Sequence, residues 1–290
     1  MNPVIGICAP AHRPQNWMAL YNSIGQNDID FELVFVGPNH PGYQLPKNFR
    51  FLKSSVKPAQ CLEAAFRNTC ADYIMPIADD LEFKTIRPLD KLYDLYKSCN
   101  CDKVVVSSRM MTNGKDQSSF AHRFFTDKDS EFVMPLSGLI SKKFYRSLGG
   151  IDRNFIAVMW DLDIAMRAYA QGGKVVMSDV YLNEDRSKTM GSNLCNEFWS
   201  HDRKLLEKLW TVNGKLNLKR SRIVEPFLDR DILKFSQGPR GRWRGRGLAV
   251  LEKIEDKLLG RSTLFKRAIR GIKKPTRYFE YAKRTISHLR

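Results

Sequence analysis

A chain of 290 residues is long enough to bury a full core, and a composition of 43% apolar and 27% charged residues is ordinary for a folded protein. Its first residues lack the pattern of a signal peptide, and no segment approaches the roughly 20 consecutive apolar residues of a membrane span. The six cysteines have neither the paired spacing of a zinc site nor the density of a disulfide framework. We therefore expect a folded cytoplasmic protein.

Apolar runs that alternate with segments of helical spacing predict an α/β fold. Strands are predicted at 4–9, 31–36, 49–54, 73–83, 103–107, 134–141 and 174–182, and helices at 17–24, 58–70, 88–97, 142–148, 160–171 and 198–210. The polar segments 109–131 and 183–193 are predicted loops. Strands that alternate with helices predict parallel βαβ units with right-handed crossovers.

The composition changes near residue 236. Residues 240–290 contain 16 Lys or Arg and 4 Asp or Glu, and so carry +12 of the net charge of +17. After a Gly/Arg-rich linker, apolar residues recur at steps of three and four, which predicts basic amphipathic helices. We therefore divide the chain into a domain at 1–235 and a basic helical extension at 236–290.

The extension has three alternative partners. An anionic membrane surface is favoured, because basic amphipathic helices bind such surfaces. Nucleic acid is disfavoured, because no recognised binding module accompanies the charge. The remaining alternative is packing on the first domain or contact with a second copy in a homodimer. Membrane binding predicts a peripheral position on the inner face of the cell membrane.

The segment Tyr73 to Phe83 has the pattern of a buried strand that ends in the adjacent carboxylates Asp79 and Asp80. Open α/β sheets bind ligands outside the carboxyl ends of their strands, and paired carboxylates there suit a divalent cation that carries a diphosphate. Asp is also common where strands end in solvated turns. From these residues alone, a metal site and a simple turn both stay open.

Four separated motifs resemble the family 2 glycosyltransferases of the GT-A fold. Residues 10–14 resemble the loop after the first strand of that family, and residues 63–80 resemble its helix and strand that end in an Asp-x-Asp motif. Residues 137–152 and 160–172 resemble its acceptor-side block, with Gly-Gly-Ile-Asp and Trp-Asp-Leu-Asp in this chain. The resemblance covers about residues 3–210. It implies a GT-A fold, in which a Rossmann-like mixed sheet is flanked by helices, followed here by the basic helical extension.

This resemblance implies an enzyme of the hexosyltransferase type, with a role in polysaccharide biosynthesis. It would transfer a sugar with inversion from a nucleotide-diphosphate donor, expected to be a UDP-sugar, to a glycan or lipid-linked acceptor. Asp80 falls on the metal ligand of the family, which implies Mg²⁺ or Mn²⁺, and Asp161 falls on the catalytic base. The implied donor contacts are Pro10, His12, Arg13, Asn39, Asp79 and Asp80. The implied acceptor-side residues are Ser137, Gly138, Gly150, Trp160 and Asp163, although Asp163 and Arg167 also have the spacing of a helix ion pair.

The chain departs from the family pattern at several places. Ala78 stands where the first Asp of the metal motif belongs, and Asn39 follows the second strand, where the family has an Asp. The loop at 183–187 has no His for the metal, so either Glu184 or Asp185 substitutes or the metal keeps more water. These departures favour, as an alternative, a non-catalytic GT-A-like binding or assembly protein. A sugar nucleotidyltransferase is the other alternative, but residues 11–14 are not the Gly-rich phosphate loop that it needs.

Overall fold

The computed structural model describes residues 2–116, 133–184, 194–212, 215–219, 222–229 and 232–234. The strands are β1 (Ile5–Pro10), β2 (Phe31–Gly37), β3 (Phe49–Lys53), β4 (Tyr73–Pro76), β5 (Leu81–Phe83), β6 (Val104–Thr112), β7 (Lys115–Asp116), β8 (Leu139–Ser141), β9 (Lys174–Glu184), β10 (Thr211–Val212) and β11 (Lys215–Leu216). The helices are α1 (Pro14–Ile24), α2 (Pro58–Asn68), α3 (Pro88–Ser98), α4 (Lys142–Ser147), α5 (Trp160–Ala170) and α6 (Leu194–Trp210). The predicted extension at 236–290 lies outside the described residues, so the predicted division of the chain at residue 235 stays a prediction.

Within the described ranges, nine strands form one mixed sheet. Its order is β3-β2-β1-β4-β8-β6-β9-β5, and β7 pairs with β6. The first four strands run parallel, as do β6 and β9, whereas β8 and β5 are antiparallel to their neighbours. The carboxyl ends of β1, β2, β4, β6 and β9 therefore lie along one edge of the sheet, together with the start of β8.

Helices cover both faces of this sheet. Buried residues of α1 and α3, such as Trp17 and Leu92, form one apolar cluster with the strands. Residues of α2, α4, α5 and α6, such as Phe66 and Leu206, form the other. Because helices cover both faces of the sheet, both faces of a strand such as β2 are buried, which explains why its sequence is a nearly continuous apolar run. The predicted α/β class is confirmed: the described residues form a mixed sheet flanked by helices.

Three predicted elements differ from the structure. The single strand predicted at 73–83 is two strands, because the segment 77–80 turns the chain between β4 and the antiparallel β5. Strand β6 continues to Thr112 rather than ending at 107, because it pairs with β9 beyond an irregularity between Ser107 and Arg109. The strand predicted at 134–141 is only β8, at 139–141. The rest of the loop predicted at 109–131, from residue 117, lies outside the described residues.

The segment after β11 returns to the domain along α2. The Arg67 guanidinium donates to the Phe227 carbonyl at 2.8 Å, near the end of α2. The Ser54 hydroxyl donates to the Leu233 carbonyl at 2.9 Å, just beyond β3. Residues 227–229 and 232–234 therefore follow one another along α2 in the direction opposite to the helix, and the second group lies near the carboxyl edge of the sheet. In the part of the chain that the structure describes, no helix is both long and apolar enough to cross a membrane.

Candidate active site

Asp79 holds the loop that follows β1. Asp79 is only 1% exposed, and it follows β4, which pairs with β1. Its Oδ2 accepts hydrogen bonds from the backbone N–H groups of His12 and Arg13, both at 2.6 Å. Its Oδ1 accepts from the Arg13 guanidinium at 2.7 and 3.0 Å, and the Trp17 indole N–H lies 3.4 Å from Oδ2. Asp79 therefore organises the predicted nucleotide loop, and its own contact with a donor stays a prediction.

The end of β2 supports the same loop. A Cβ atom at Gly37 would lie 1.6 Å from the carbonyl oxygen of Ala11, so glycine is required where the two segments cross. The Asn39 side chain donates to the His12 carbonyl at 2.8 Å, and both residues are exposed. Pro10, at the end of β1, is partly exposed. The predicted nucleotide residues therefore come together at the carboxyl edge of β1, β2 and β4.

Asp80 lies beside a further carboxylate at this edge. It directly precedes β5, whose first residue, Leu81, pairs with Glu184 at the end of β9. The Arg13 guanidinium pairs with Asp80 at 2.8 Å. Burial raises the pKa of Asp80; Arg13 opposes this rise, and the negative charges of Asp79 and Glu184 add to it. The Arg13 guanidinium thus pairs with both Asp79 and Asp80, and the Thr112 hydroxyl donates to the Glu184 carboxylate at 3.2 Å.

Asp80 and Glu184 are the described carboxylates that would hold the predicted Mg²⁺ or Mn²⁺ ion, and the metal itself stays a prediction. Asp80 and Glu184 supply the oxygen ligands that hard cations prefer. Across the described ranges, no group of three or more His, Cys, Asp or Glu side chains is arranged to hold a metal. Mg²⁺ usually keeps several waters and binds through one or two carboxylates and substrate phosphates, which matches this set. Of the two substitutes for the missing His, Glu184 lies at the edge and Asp185 lies outside the described residues.

A small cleft of about 20 Å³, open to solvent, places Asp161 against apolar surface. Its walls come from β4, β6, β8 and three helices, and include Phe66, Pro76, Val105, Gly138, Trp160 and Ile164. Burial raises the pKa of Asp161 from its ordinary 3.8 to about 6, against the effect of the Leu162 N–H, which donates to Asp161 Oδ1 at 3.0 Å. Asp161 is therefore ionised near neutral pH and is still basic enough to accept a proton.

The cleft adjoins the carboxyl edge and has strained walls. Pro76, the last residue of β4, lines it three residues before Asp79. Ser137 and Met159 have positive φ angles of 47° and 64°, which non-glycine residues rarely adopt. They directly precede Gly138 and Trp160, both in the walls. Such strain concentrates at functional sites, because the surrounding structure must hold it. Gly138 and Trp160 thus line the cleft with Asp161, and Ser137 directly precedes Gly138, while their role on an acceptor side stays a prediction.

Asp163 and Gly150 have positions that differ from the other predicted acceptor-side residues. Asp163 is fully buried and accepts hydrogen bonds from Arg167 at 2.8 and 3.0 Å, from the Trp210 indole at 2.8 Å and from Arg222. This arrangement favours the ion-pair alternative and leaves Asp163 no surface for an acceptor. Gly150 is buried in the Gly-Gly turn, with a φ of 76°. Both residues are therefore buried parts of the structure around the cleft.

Similarity to known proteins is found only at the level of structure. No family model matches the sequence, and no curated protein matches it. The structure is similar to TarS of S. aureus, residues 1–349. The identity is 11%, and the match covers 71% of this chain and 64% of that chain with a TM-score of 0.48. The chain thus spans less than two thirds of TarS 1–349. A likeness of this size identifies no activity, and membership of family 2 stays a prediction.

Two charged residues that the sequence analysis did not single out hold parts of the site. Arg222 pairs with Asp152 at 2.6 Å and with Asp163, and lies under α5 through these bonds. Asp202 is fully buried in α6 and accepts hydrogen bonds from the backbone of residues 156–158. No pattern in the sequence around a single charged residue indicates which distant residue it will pair with. Only the folded arrangement shows what these two residues hold.

Proposed function

We propose that the protein is a glycosyltransferase that moves a sugar from a nucleotide-diphosphate donor to a hydroxyl group of a glycan or lipid-linked acceptor, with inversion. The observation that carries this proposal is Asp161, whose pKa is raised to about 6 in an apolar cleft beside the carboxyl edge of the sheet. A general base works best when its pKa lies near the operating pH. An ordinary helix-terminal aspartate has no need of such burial.

In this proposal the donor nucleotide, expected to be UDP, binds along the loop that follows β1. The loop is fixed before any ligand arrives, because Asp79 accepts two of its backbone N–H groups and Gly37 allows it to cross β2 closely. His12 on this loop and Asn39 after β2 are both exposed and are available to a base or ribose. A preformed loop reduces the entropy that binding must remove.

A divalent cation is part of the proposal. Asp80 and Glu184 would hold Mg²⁺ or Mn²⁺, which supplies positive charge to the diphosphate leaving group when it is bound. The Arg13 guanidinium, already paired with Asp79 and Asp80, lies at the same point and adds a fixed positive charge. The remaining chemistry falls to Asp161.

The transfer itself needs one proton acceptor on the acceptor side. The acceptor hydroxyl oxygen attacks the anomeric carbon from the face opposite the diphosphate, and the hydroxyl proton passes to the Asp161 carboxylate. The bond from the anomeric carbon to the diphosphate oxygen breaks, and its electron pair leaves with the nucleoside diphosphate. A single displacement of this kind inverts the anomeric configuration. Trp160, partly exposed at the cleft, offers an aromatic surface for the sugar ring.

The proposal is tested by a calorimetric screen of nucleotide sugars against the full chain with Mn²⁺, followed by a donor hydrolysis assay. We expect one UDP-sugar to bind and to be hydrolysed slowly in the absence of acceptor. Chelation of Mn²⁺ should reduce both. A chain that neither binds nor hydrolyses any nucleotide sugar in this screen is not the proposed enzyme.

One contact favours a second candidate, a nucleotide-sugar-binding protein without transferase activity. Arg13 pairs with Asp80 at 2.8 Å, so a guanidinium already neutralises the carboxylate on which the metal would depend. Such a protein would bind a donor equally well with and without Mn²⁺ and would hydrolyse none. The same two assays therefore separate the two candidates.

We further propose that the extension at 236–290 attaches the enzyme to an anionic membrane surface on the cytoplasmic side, where a lipid-linked acceptor would lie. Its charge of +12 supports this, since each basic residue near such a surface adds on the order of 1 kcal/mol. Flotation with anionic liposomes should recover the full chain and lose a variant that ends at residue 235. Equal flotation of both would contradict the proposal, and dimerisation through the extension would instead appear as a change in mass between the two.

A further inference from the structure

The position of Asp161 depends on the segment that leads into α5. The helix begins after Met159, whose φ is 64° and whose own side chain makes no capping hydrogen bond. Asp161 lies only two residues beyond Met159. Any movement of residues 156–158 is therefore passed directly to the turn that carries Asp161.

One buried carboxylate from a different helix holds this segment. Asp202 of α6 is fully buried and accepts from the N–H groups of three successive residues. The distances are 3.2 and 3.3 Å from Ile156, 2.8 Å from Ala157 and 2.9 Å from Val158. Hydrogen bonds to an ionised acceptor are stronger than neutral ones. Three such bonds converge on one side chain.

The surroundings of these bonds exclude water. Ile156 and Ala157 are 5% and 7% exposed, and they pack in a small cluster with Phe198 of α6. The Ile156 carbonyl accepts from the Ala59 N–H of α2 at 3.0 Å, which holds the segment from its other side. On the solvent side, His201 Nδ1 lies 2.8 Å from Asp202 Oδ1. Buried N–H groups need an acceptor, so the segment depends on Asp202 for its shape.

We propose that Asp202 is a positioning residue for the transfer reaction, which anchors residues 156–158 and so keeps Asp161 in its apolar cleft. This inference rests on the proposed function, because it assigns Asp202 to the support of the proposed base. The strained backbone at Met159 adds to the argument, since such a conformation persists only where its surroundings hold it. Asp202 does not touch the cleft and is not itself a catalytic residue.

The test uses Asp202→Asn, which keeps the size of the side chain but replaces one acceptor oxygen by an NH₂ group. The matched control is Leu92→Ala in α3, which removes a fully buried side chain from the apolar cluster on the other face of the sheet. Both variants are expected to lower the melting temperature. Only Asp202→Asn should lower kcat, on the order of 100-fold, because a displacement of about 1 Å in a reacting group has that effect. The KM for the donor should stay within a few-fold of the wild-type value.

A second measurement separates positioning from general destabilisation. Carboxyl ¹³C NMR of the full chain reports the pKa of Asp161, which is about 6 with the segment in place. In Asp202→Asn it should fall towards 3.8, because a displaced Asp161 gains water, and in Leu92→Ala it should stay near 6. Asp202→Glu, which keeps the carboxylate, should recover part of kcat.

Asp202 would have a structural role alone if Asp202→Asn loses stability but keeps the kcat and the Asp161 pKa of the control. A wild-type chain that transfers no sugar would remove the proposed function. The NMR titration does not need activity, so in that case it still decides whether Asp202 controls the position of Asp161.

Discussion

Replacing Asp161 by Asn should abolish sugar transfer and at the same time stabilise the protein. The pKa of Asp161 is raised from 3.8 to about 6 by burial in the folded state. At about 1.4 kcal/mol for each pH unit, keeping this carboxylate ionised in the fold costs about 3 kcal/mol at neutral pH. The neutral amide of the variant would not have this free-energy cost. The substitution also removes a favourable interaction with the amino end of α5, of about 0.3 to 1 kcal/mol, so the net gain should be about 2 to 3 kcal/mol.

The size of this stabilisation depends on pH. The folded state binds the Asp161 proton more tightly than the unfolded state does. Stability attributable to Asp161 is therefore lost as pH rises from about 4 to about 6, and the cost is fully present above that range. The difference in stability between Asp161→Asn and the wild type should thus be largest at pH 7.5 and should nearly vanish at pH 4.

Urea unfolding of both proteins at pH 7.5 and pH 4 measures this difference. Asp179→Asn is a suitable control, because the Asp179 side chain is 93% exposed and its loss should change stability by no more than about 0.5 kcal/mol. In wild-type kinetics, the same pKa predicts an acid limb in which the rate falls tenfold per pH unit below about pH 6. An Asp161→Asn variant that is no more stable than the wild type at pH 7.5 would refute the burial of Asp161 and with it the argument for the base.

Two further substitutions test the charged contacts that hold the site. Arg13→Gln removes the partner of Asp79 and Asp80 and should destabilise the protein by about 3 to 5 kcal/mol, because it leaves buried carboxylates unpaired; a loss below about 1 kcal/mol in urea unfolding would contradict this. Arg222→Met should have an effect of similar size through Asp163, and thermal unfolding should show it. A variant with an unchanged melting temperature would mean that Arg222 is not part of the buried network.

The fold was predictable from the sequence because its strands are continuous apolar runs separated by helical spacing. The order of the strands was not, since the antiparallel pairing of β5 and β8 depends on contacts far apart in the chain. The split of the strand predicted at 73–83 has the same cause. Asp79 turns the chain there because it binds the loop after β1, and no local pattern specifies that partner.

The residues of the candidate site could be predicted where they belong to a recognisable motif. They could not be predicted where their role depends on contacts with residues that are distant in the chain. Asp161 and Gly138 were singled out by motif, and they line one cleft. Asp163 was assigned to the acceptor side by the same motif, and the structure buries it instead in an ion pair with Arg167. Asp202 has no motif at all. Its three backbone partners lie some 45 residues away in the chain, and only tertiary structure brings them together.

The most direct test of the central claim is the effect of Asp161→Asn on transfer and on donor affinity, measured in the same protein with the UDP-sugar found in the donor screen. The account predicts that donor affinity with Mn²⁺ stays within a few-fold of the wild-type value, while the rate of transfer or donor hydrolysis falls by at least about 100-fold. It also predicts that the remaining rate no longer depends on pH near 6. Retained turnover in Asp161→Asn, with an unchanged pH profile, would contradict the assignment of Asp161 as the base.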